Sequence, residues 1–332
     1  VEQRDWAAGT SSRSSKLIHG GLRYLEQLDF ALVREALREQ TLMLDRLCPH
    51  LVRPVPFLFP LTQPVWERAY VGAGTLLYDL LAGRRALPRH RHLSHATAVQ
   101  VFPGLKRDAL VGAIQYYDAQ VDDARHTLTV ARTAALHGAA LATSARVTEL
   151  LRSGSGVAGV RFRDLESGRD IEVRARQVIN ATGVWTDRIQ DMAGRGGIRV
   201  RASKGIHLVV PRDRIHGDSG LILRTATSVL FVIPWRHHWI IGTTDTDYNG
   251  SSEKPLAGRE DVTYLLAAAN ATFSIEPLTL DDVVGAWAGV RPLLHEDGKK
   301  PTEISRKDEI MVNAGGLISI AGGKLTTFRK MA

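Results

Sequence analysis

The sequence predicts an α/β fold organised as two domains. Strand-like and helix-like segments interleave along the chain, and three turns of small and polar residues sit beside strand or helix ends. The length of 332 residues, 44% of them apolar, is enough for a substantial core and for more than one domain. No internal repeat or low-complexity tract interrupts this pattern.

Taken in order, Val1 and Glu2 look like the end of a strand. The run Gly9 to Leu25 (GTSSRSSKLIHGGLRYL) then gathers Ser/Thr hydroxyls, Arg13, Lys16, His19 and a Gly-Gly pair. Without a Cβ, Gly20 and Gly21 let a flat ligand lie against their backbone, and the hydroxyls ahead of them can bind phosphate or polyol oxygens. Arg23 and Tyr24 add an anion-binding fork and a phenol, so the run reads as part of a cofactor site that also touches an anionic substrate. Asp29 caps an amphipathic helix to Leu47, with Phe30, Val33, Leu37, Leu44 and Leu47 on one face and Pro49 as its stop. The proline-bracketed run Val55 to Leu61 suits an edge strand, and Trp66 to Leu81 a second helix. A basic patch follows from Arg84 to His95.

Asp118 to His137 reads as a strand end, an Asp-capped turn and a helix, and Ala139 to Asn180 as a meander with turns at Ser153 to Gly156 and Glu166 to Arg169. Gln177 to Asn180 leads through Ala181, Thr182 and Gly183 into a helix near Trp185, offering free amides to a ligand. Gly205 to Val210, Val229 to Pro234 and His238 to Gly242 are strand-like, the last two forming a hairpin. A helix from Arg259 to Thr272 and a strand from Val283 to Arg291 come next, and the chain closes on a strand, Gly322-Gly323, Lys324 and a helix.

The net charge of +8, from 43 basic and 35 acidic residues, favours anionic partners: phosphorylated metabolites, acidic lipid headgroups or nucleic acid. A single cysteine, Cys48, excludes an intrachain disulfide, fits a reducing compartment and suits a small core position. No signal-peptide pattern and no apolar run of membrane-spanning length is present, so the chain is expected neither to cross a membrane nor to be exported. His90, His92 and His95 lie among arginines without carboxylates, and neither they nor His237 and His238 are expected to bind metal. Asp245 and Asp247 read as a structural turn.

The turns Gly9 to Gly21, Ala181 to Trp185 and Gly322 to Thr327 share one physical form and can converge on one extended cofactor. The amides after Gly323 suit the pyrimidine edge of a flavin, where negative charge builds on hydride acceptance. At this level SSRSSKLIHGGLRYL, VINATGVW, GIHLVVPR, GTTDTDY, AGVRPLL, ISRKDEI and AGGKLTTFRKMA closely resemble the FAD-dependent, quinone-linked glycerol-3-phosphate dehydrogenase family, in the same order over nearly the whole chain. The resemblance implies an FAD-binding Rossmann-like domain of the glutathione-reductase and D-amino-acid-oxidase type, made of residues 1–50, 118–200 and 300–332. An antiparallel-sheet substrate domain of residues 51–117 and 201–299 would complete it. It also implies that the family's first strand and GxGxxG turn are missing here, as is a further C-terminal helical domain. Such a chain is expected to bind FAD poorly or not at all.

Carried over residue by residue, the resemblance assigns FAD to Glu2, Thr10, Ser11, Ser12, Ser15, Lys16, His19, Gly20, Gly21, Val147, Ala181, Thr182, Gly183 and Trp185, and to Gly322, Gly323, Lys324, Leu325 and Thr326. Arg23, Tyr24 and Arg306 would hold the phosphate of glycerol 3-phosphate, with Arg291 near the reacting oxygens. His207 is the preferred base because imidazole titrates near neutrality, and Lys324 serves either flavin charge or substrate. Electrons would pass to membrane quinone from a cytoplasmic enzyme peripheral to the inner face of the cell membrane, and a homodimer is compatible with this. Arg84, Arg85, Arg89 and Arg91, beside the apolar Tyr70 to Leu81 segment, would touch anionic lipid, a solvated surface being the other reading. A glycerol-3-phosphate oxidase using O2 and an amine or amino-acid oxidase of the same fold are the alternatives. A nucleic-acid module has only the charge in its favour and is not expected.

Overall fold

Strand alternation decides the layering. In the computed structural model, which describes residues 1–83, 87–108, 110–194, 197–224, 229–295, 307–313 and 315–332, a ten-stranded sheet forms the centre. Its order is Leu17–Ile18, Gly112–Val121, Val52–Leu61, Gly220–Arg224, Val229–Trp235, His238–Gly242, Val200–Pro211 and Thr246–Asp247. Arg91–Ser94 pairs with Gly112–Val121, and Gly285–Leu294 with Val200–Pro211. Because successive side chains alternate faces, Leu58, Ile206, Leu208, Trp239 and Ile241 enter one core, shared with helices His95–Val101 and Arg259–Thr272. Phe57, Phe59 and Ile240 enter the other, beneath helices Phe30–Leu42 and Trp66–Ala82.

The smaller sheets are the meander Ala145–Ser153, Gly156–Asp164, Asp170–Arg174 and the set Asp308–Val312, Ile318–Gly322, Ile179–Asn180. In the second, Ile179–Asn180 runs parallel to Ile318–Ser319 and delivers the chain to the turn Gly183–Trp185 and helix Thr186–Ala193. Helix Asp123–Leu136 is capped by Asp122, whose carboxylate accepts from the Arg125 amide at 3.2 Å.

Several sequence expectations change. Val52–Leu61 is an interior strand, antiparallel to Gly112–Val121 along its length and parallel to Gly220–Arg224 near Phe57 and Leu58. Pro54, Pro56 and Pro60 are tolerated because they share one parity, so their missing N–H groups fall on one edge of the strand. The first long helix keeps its Asp29 cap, but its α-helical part ends at Leu42 and a π-helical turn carries Met43 to Leu47. Of its expected apolar face, Val33 and Leu37 are buried, whereas Phe30 and Leu47 are exposed. Val1 and Glu2 form no strand, although the Glu2 amide and carbonyl bond Ala142 and Ala145. The proposed domain boundary at 117/118 falls inside strand Gly112–Val121.

Candidate active site

Residue parity also builds the site. Ile206 and Leu208 point into one core, so Ser203, Gly205 and His207 face the other way, opposite Arg291, Gly289 and Trp287 of the neighbouring strand. Gly205, His207, Gly289 and Arg291 border a cavity of about 570 Å3, which Thr10, Ser15, His19, Gly21, Arg23, Tyr24, Gly322, Gly323, Lys324, Leu325 and Thr326 also line. Thus the first run, the His207 and Arg291 strands and the Gly322-Gly323 turn converge, although they lie hundreds of residues apart.

Arg291 is anchored on its protein side. Its Nη2 donates to Thr243 Oγ1 at 2.9 Å, and its Nη1 to the Thr244 carbonyl at 3.2 Å and to Asp245 Oδ1 at 3.3 Å. Asp245 also accepts from the Ser203 hydroxyl, so it is more than the structural turn that its sequence suggests. At the other end, Lys324 Nζ lies 4.3 Å and the Arg23 guanidinium carbon 5.1 Å from the centre of the buried Tyr24 ring. Arg306 lies outside the described residues.

His207 is buried, stacks on Trp287 with ring centres 5.1 Å apart, and places Nε2 2.8 Å from Ser15 Oγ. Burial first, then Arg291 and Lys16, push its pKa from 6.5 down to about 3, so the argument that this imidazole titrates near neutrality fails in its actual setting. A folded-state value below the unfolded one means that the unfolded chain binds the proton more tightly. The stabilising contribution is therefore present above pH 6.5 and is lost as pH falls towards 3. Between pH 7.5 and pH 5 this amounts to about 2 kcal/mol. The unfolding free energy of the native chain, from denaturant titration, is expected to fall over that range by this much more than that of His207→Gln. Equal falls in the two proteins refute the assignment.

The glycine pair works differently from the flat-ligand argument. A Cβ on Gly20 would lie 2.4 Å from the Tyr78 hydroxyl and 2.5 Å from Leu37, so its missing side chain makes room for the core. Gly21 has φ +83° and packs on Tyr24, where a Cβ would sit 2.4 Å from the ring. The turn is held from below by Asp118, buried in its strand, which accepts from the Gly20 amide at 3.2 Å, the Tyr78 hydroxyl at 2.9 Å and Gln40 Nε2 at 2.7 Å. From the side, Thr326 Oγ1 donates to the His19 carbonyl at 3.1 Å. Lys16 is turned away to the fully buried Asp123 at 2.6 Å, which also accepts from the Ser14 hydroxyl at 2.7 Å. Asp118 and Asp245 of the lining, and Asp123 behind it, are not evident as site residues in the sequence; only Asp118 leaves a signal, a lone carboxylate inside the strand GAIQYYDAQV.

Other assigned residues lie beyond the cavity lining: Glu2, Ser11, Ser12, Lys16, Gly20, Val147, Ala181, Thr182, Gly183 and Trp185. They still connect to it. The Thr10 hydroxyl donates to the Val290 carbonyl at 2.6 Å, Gly9 approaches Trp185, and Gly183 approaches Pro292. Glu2 Oε1 accepts from the Arg4 amide at 3.0 Å, beside the start of strand Ala145–Ser153. In the basic patch, Arg84 and Arg85 lie outside the described residues. His90 Nδ1 meets Asp79 at 2.8 Å, a carboxylate that the local sequence does not reveal. Among the described residues no three His, Cys, Asp or Glu side chains cluster to hold a metal ion.

Comparison with known proteins identifies the family. Residues 1–329 match the family model described as FAD dependent oxidoreductase. Glycerol-3-phosphate dehydrogenase 2 of Mycobacterium bovis is 57% identical over 100% of this chain and 57% of its own length, so the chain spans just over half of that relative. The solved glycerol-3-phosphate dehydrogenase of Bacillus halodurans, complexed with FAD, superposes with a TM-score of 0.78 at 32% identity, covering 99% of this chain and 56% of that one. The L-alpha-glycerophosphate oxidase of Mycoplasma pneumoniae, with FAD bound, gives a TM-score of 0.73 over 99% of this chain and 85% of that one. At 15% identity that likeness shows the fold alone.

Proposed function

The chain belongs to the FAD-dependent oxidoreductase family, and on that premise we propose that the intact protein oxidises glycerol 3-phosphate to dihydroxyacetone phosphate and passes the electrons to membrane quinone. The observation that carries this reading is the convergence of Arg23, Arg291 and Lys324 with a buried, uncharged His207 in one cavity. Fixed guanidinium and ammonium groups suit a phosphate dianion, and a neutral imidazole suits a hydroxyl that must lose its proton.

The residues fit FAD. Gly322 and Gly323 take φ of +77° and +74°, and a Cβ on either would lie within 2.5 Å of Lys307 O or Met331 Sδ, so glycine alone lets the backbone reach the cavity here. The following turn Leu325–Thr327 opens on amides without partners inside the turn. Among the described residues, His207 Nδ1 and Trp287 Nε1 are buried polar atoms without a hydrogen-bond partner, on stacked rings beside the cavity. Thr10, Ser15, His19, Gly21 and Gly322 to Thr326 would hold the ring end of FAD, with Glu2, Val147 and Ala181 to Trp185 towards its other end. Bound FAD supplies the hydride acceptor.

The chain's own groups do the rest. Arg23 and Lys324, both against the Tyr24 ring, and Arg291 on the His207 side of the cavity together bind the anionic substrate. His207 accepts the hydroxyl proton; a dianion in the cavity offsets the field of Arg291 and Lys16 and raises its proton affinity. Delivery to a quinone at the cytoplasmic face of the membrane is supported by the exposed side of helix Trp66–Ala82, where Trp66, Tyr70, Leu76 and Leu80 recur at helical spacing. Among the described residues no helix is long and apolar enough to cross a membrane.

One anaerobic experiment on the intact protein tests the reading. Glycerol 3-phosphate is expected to bleach the flavin absorbance while amino acids do not. Quinone in anionic vesicles should restore it faster than O2, with the protein sedimenting on those vesicles. Faster recovery with O2 and no sedimentation favours the oxidase, and bleaching by an amino acid alone overturns the substrate.

A further inference from the structure

We propose that Asp245 is a positioning residue that fixes the Arg291 guanidinium in one orientation for anion binding. The proposal rests on the anionic-substrate reading above, and four observations support it. The Asp245 side chain is 6% exposed and is oriented by the Ser203 hydroxyl, itself on a fully buried residue. Its Oδ1 meets Arg291 Nη1 at 3.3 Å, on the same nitrogen that bonds the Thr244 carbonyl, while Nη2 is tied to Thr243 Oγ1. The guanidinium lies against Gly205, where a Cβ would stand 2.3 Å from Nη2 and 2.6 Å from Nη1. Ser203 and Arg291 are direct cross-strand partners, so the chain Ser203, Asp245, Arg291 closes on itself within one face of the sheet.

Such an arrangement acts before substrate arrives. A free arginine side chain samples many rotamers, and ordering it on binding costs affinity. Here hydroxyl, carbonyl and carboxylate anchors hold the planar fork in advance, and only glycine at position 205 leaves space for it to lie flat. Removing Asp245 should therefore weaken the binding of an anion more than it slows chemistry, and the effect should vanish once Arg291 is no longer an arginine.

The test is a double-mutant cycle in the intact, flavin-loaded protein, read by kinetics and by calorimetric binding of inorganic phosphate and dihydroxyacetone phosphate. Asp245→Asn is expected to raise KM for glycerol 3-phosphate roughly tenfold with kcat changed less than about threefold, and to weaken product binding by a similar factor. In the Arg291→Lys background the same substitution should add almost nothing. Ser203→Ala, a milder change, should give a smaller loss with the same dependence on Arg291, and it decides the matter if Asp245→Asn does not fold. Additive losses, or a lowered kcat with unchanged KM and phosphate affinity, overturn the proposal in favour of a purely structural Asp245. A wild-type protein that binds phosphate without turning over glycerol 3-phosphate refutes the substrate, yet the phosphate cycle still decides the role of Asp245. Binding of neither anion refutes both.

Discussion

Replacing Asp118 with alanine is expected to cost the fold about 3–5 kcal/mol, read as a lower denaturant midpoint at unchanged slope. The carboxylate sits 3% exposed in the middle of strand Gly112–Val121 and accepts from the Gly20 amide, the Tyr78 hydroxyl and Gln40 Nε2. Truncation leaves those donors in place with nothing to receive them, at about 1–3 kcal/mol for each one left unsatisfied. Two are partly rescued, since Gly20 also donates to the Tyr78 oxygen at 2.9 Å and Gln40 to the Ile18 carbonyl at 2.7 Å. The loss therefore stays below the sum of three full penalties. Asp118→Asn keeps one acceptor oxygen and should lose about half as much.

The same substitution reaches the site. Gly20 has no room to shift towards Tyr78 or Leu37, so a slack Asp118 anchor moves the turn outwards and carries Gly21, Tyr24 and the neighbouring Lys324 with it. An unfolding free energy within about 1 kcal/mol of wild type for Asp118→Ala would show that the network is not what holds this turn.

Much of the frame was legible because it is written in local patterns. The period of two in GIHLVVPR and AGVRPLL places His207 and Arg291 on the cavity side of adjacent strands, and the Asp29 and Asp122 caps mark where two helices begin. Features that depend on a distant partner were not. The prolines of Val52–Leu61 suggest an edge until the pairing shows that their parity spares the ladder on the other side. Lys16 looks like a cofactor ligand beside four serines, and only the fold brings the buried carboxylate of Asp123 to it. Gly20 and Gly21 stand out as glycines for any reading, yet their reasons are Tyr78, Leu37 and Tyr24, residues that no local window connects to them. The neutral state of His207 likewise follows from burial and two cations contributed by other segments.

Arg291→Met is expected to lower kcat/KM for glycerol 3-phosphate by about 10³-fold, close to 4 kcal/mol of transition-state stabilisation. The methionine keeps the aliphatic stem against the strand but removes a cation whose two terminal nitrogens are already ordered by Thr243, Thr244 and Asp245. The other cations lie elsewhere in the lining: Arg23 and Lys324 are gathered at the Tyr24 ring, and Arg224 is engaged with Glu26 at 2.8 Å. Stability should fall far less than for Asp118→Ala, because Asp245 retains the Ser203 hydroxyl and Thr243 borders the open cavity. Arg291→Lys should recover only part of the rate, since an ammonium cannot span the hydroxyl, carbonyl and carboxylate with a planar fork. Arg224→Met, which removes an equal charge from the cavity lining, is the control and should change kcat/KM less than about threefold, as expected for an exposed pair. If the two methionine variants lose activity equally, the cavity acts through its net charge, and the fixed geometry of Arg291 carries no special weight.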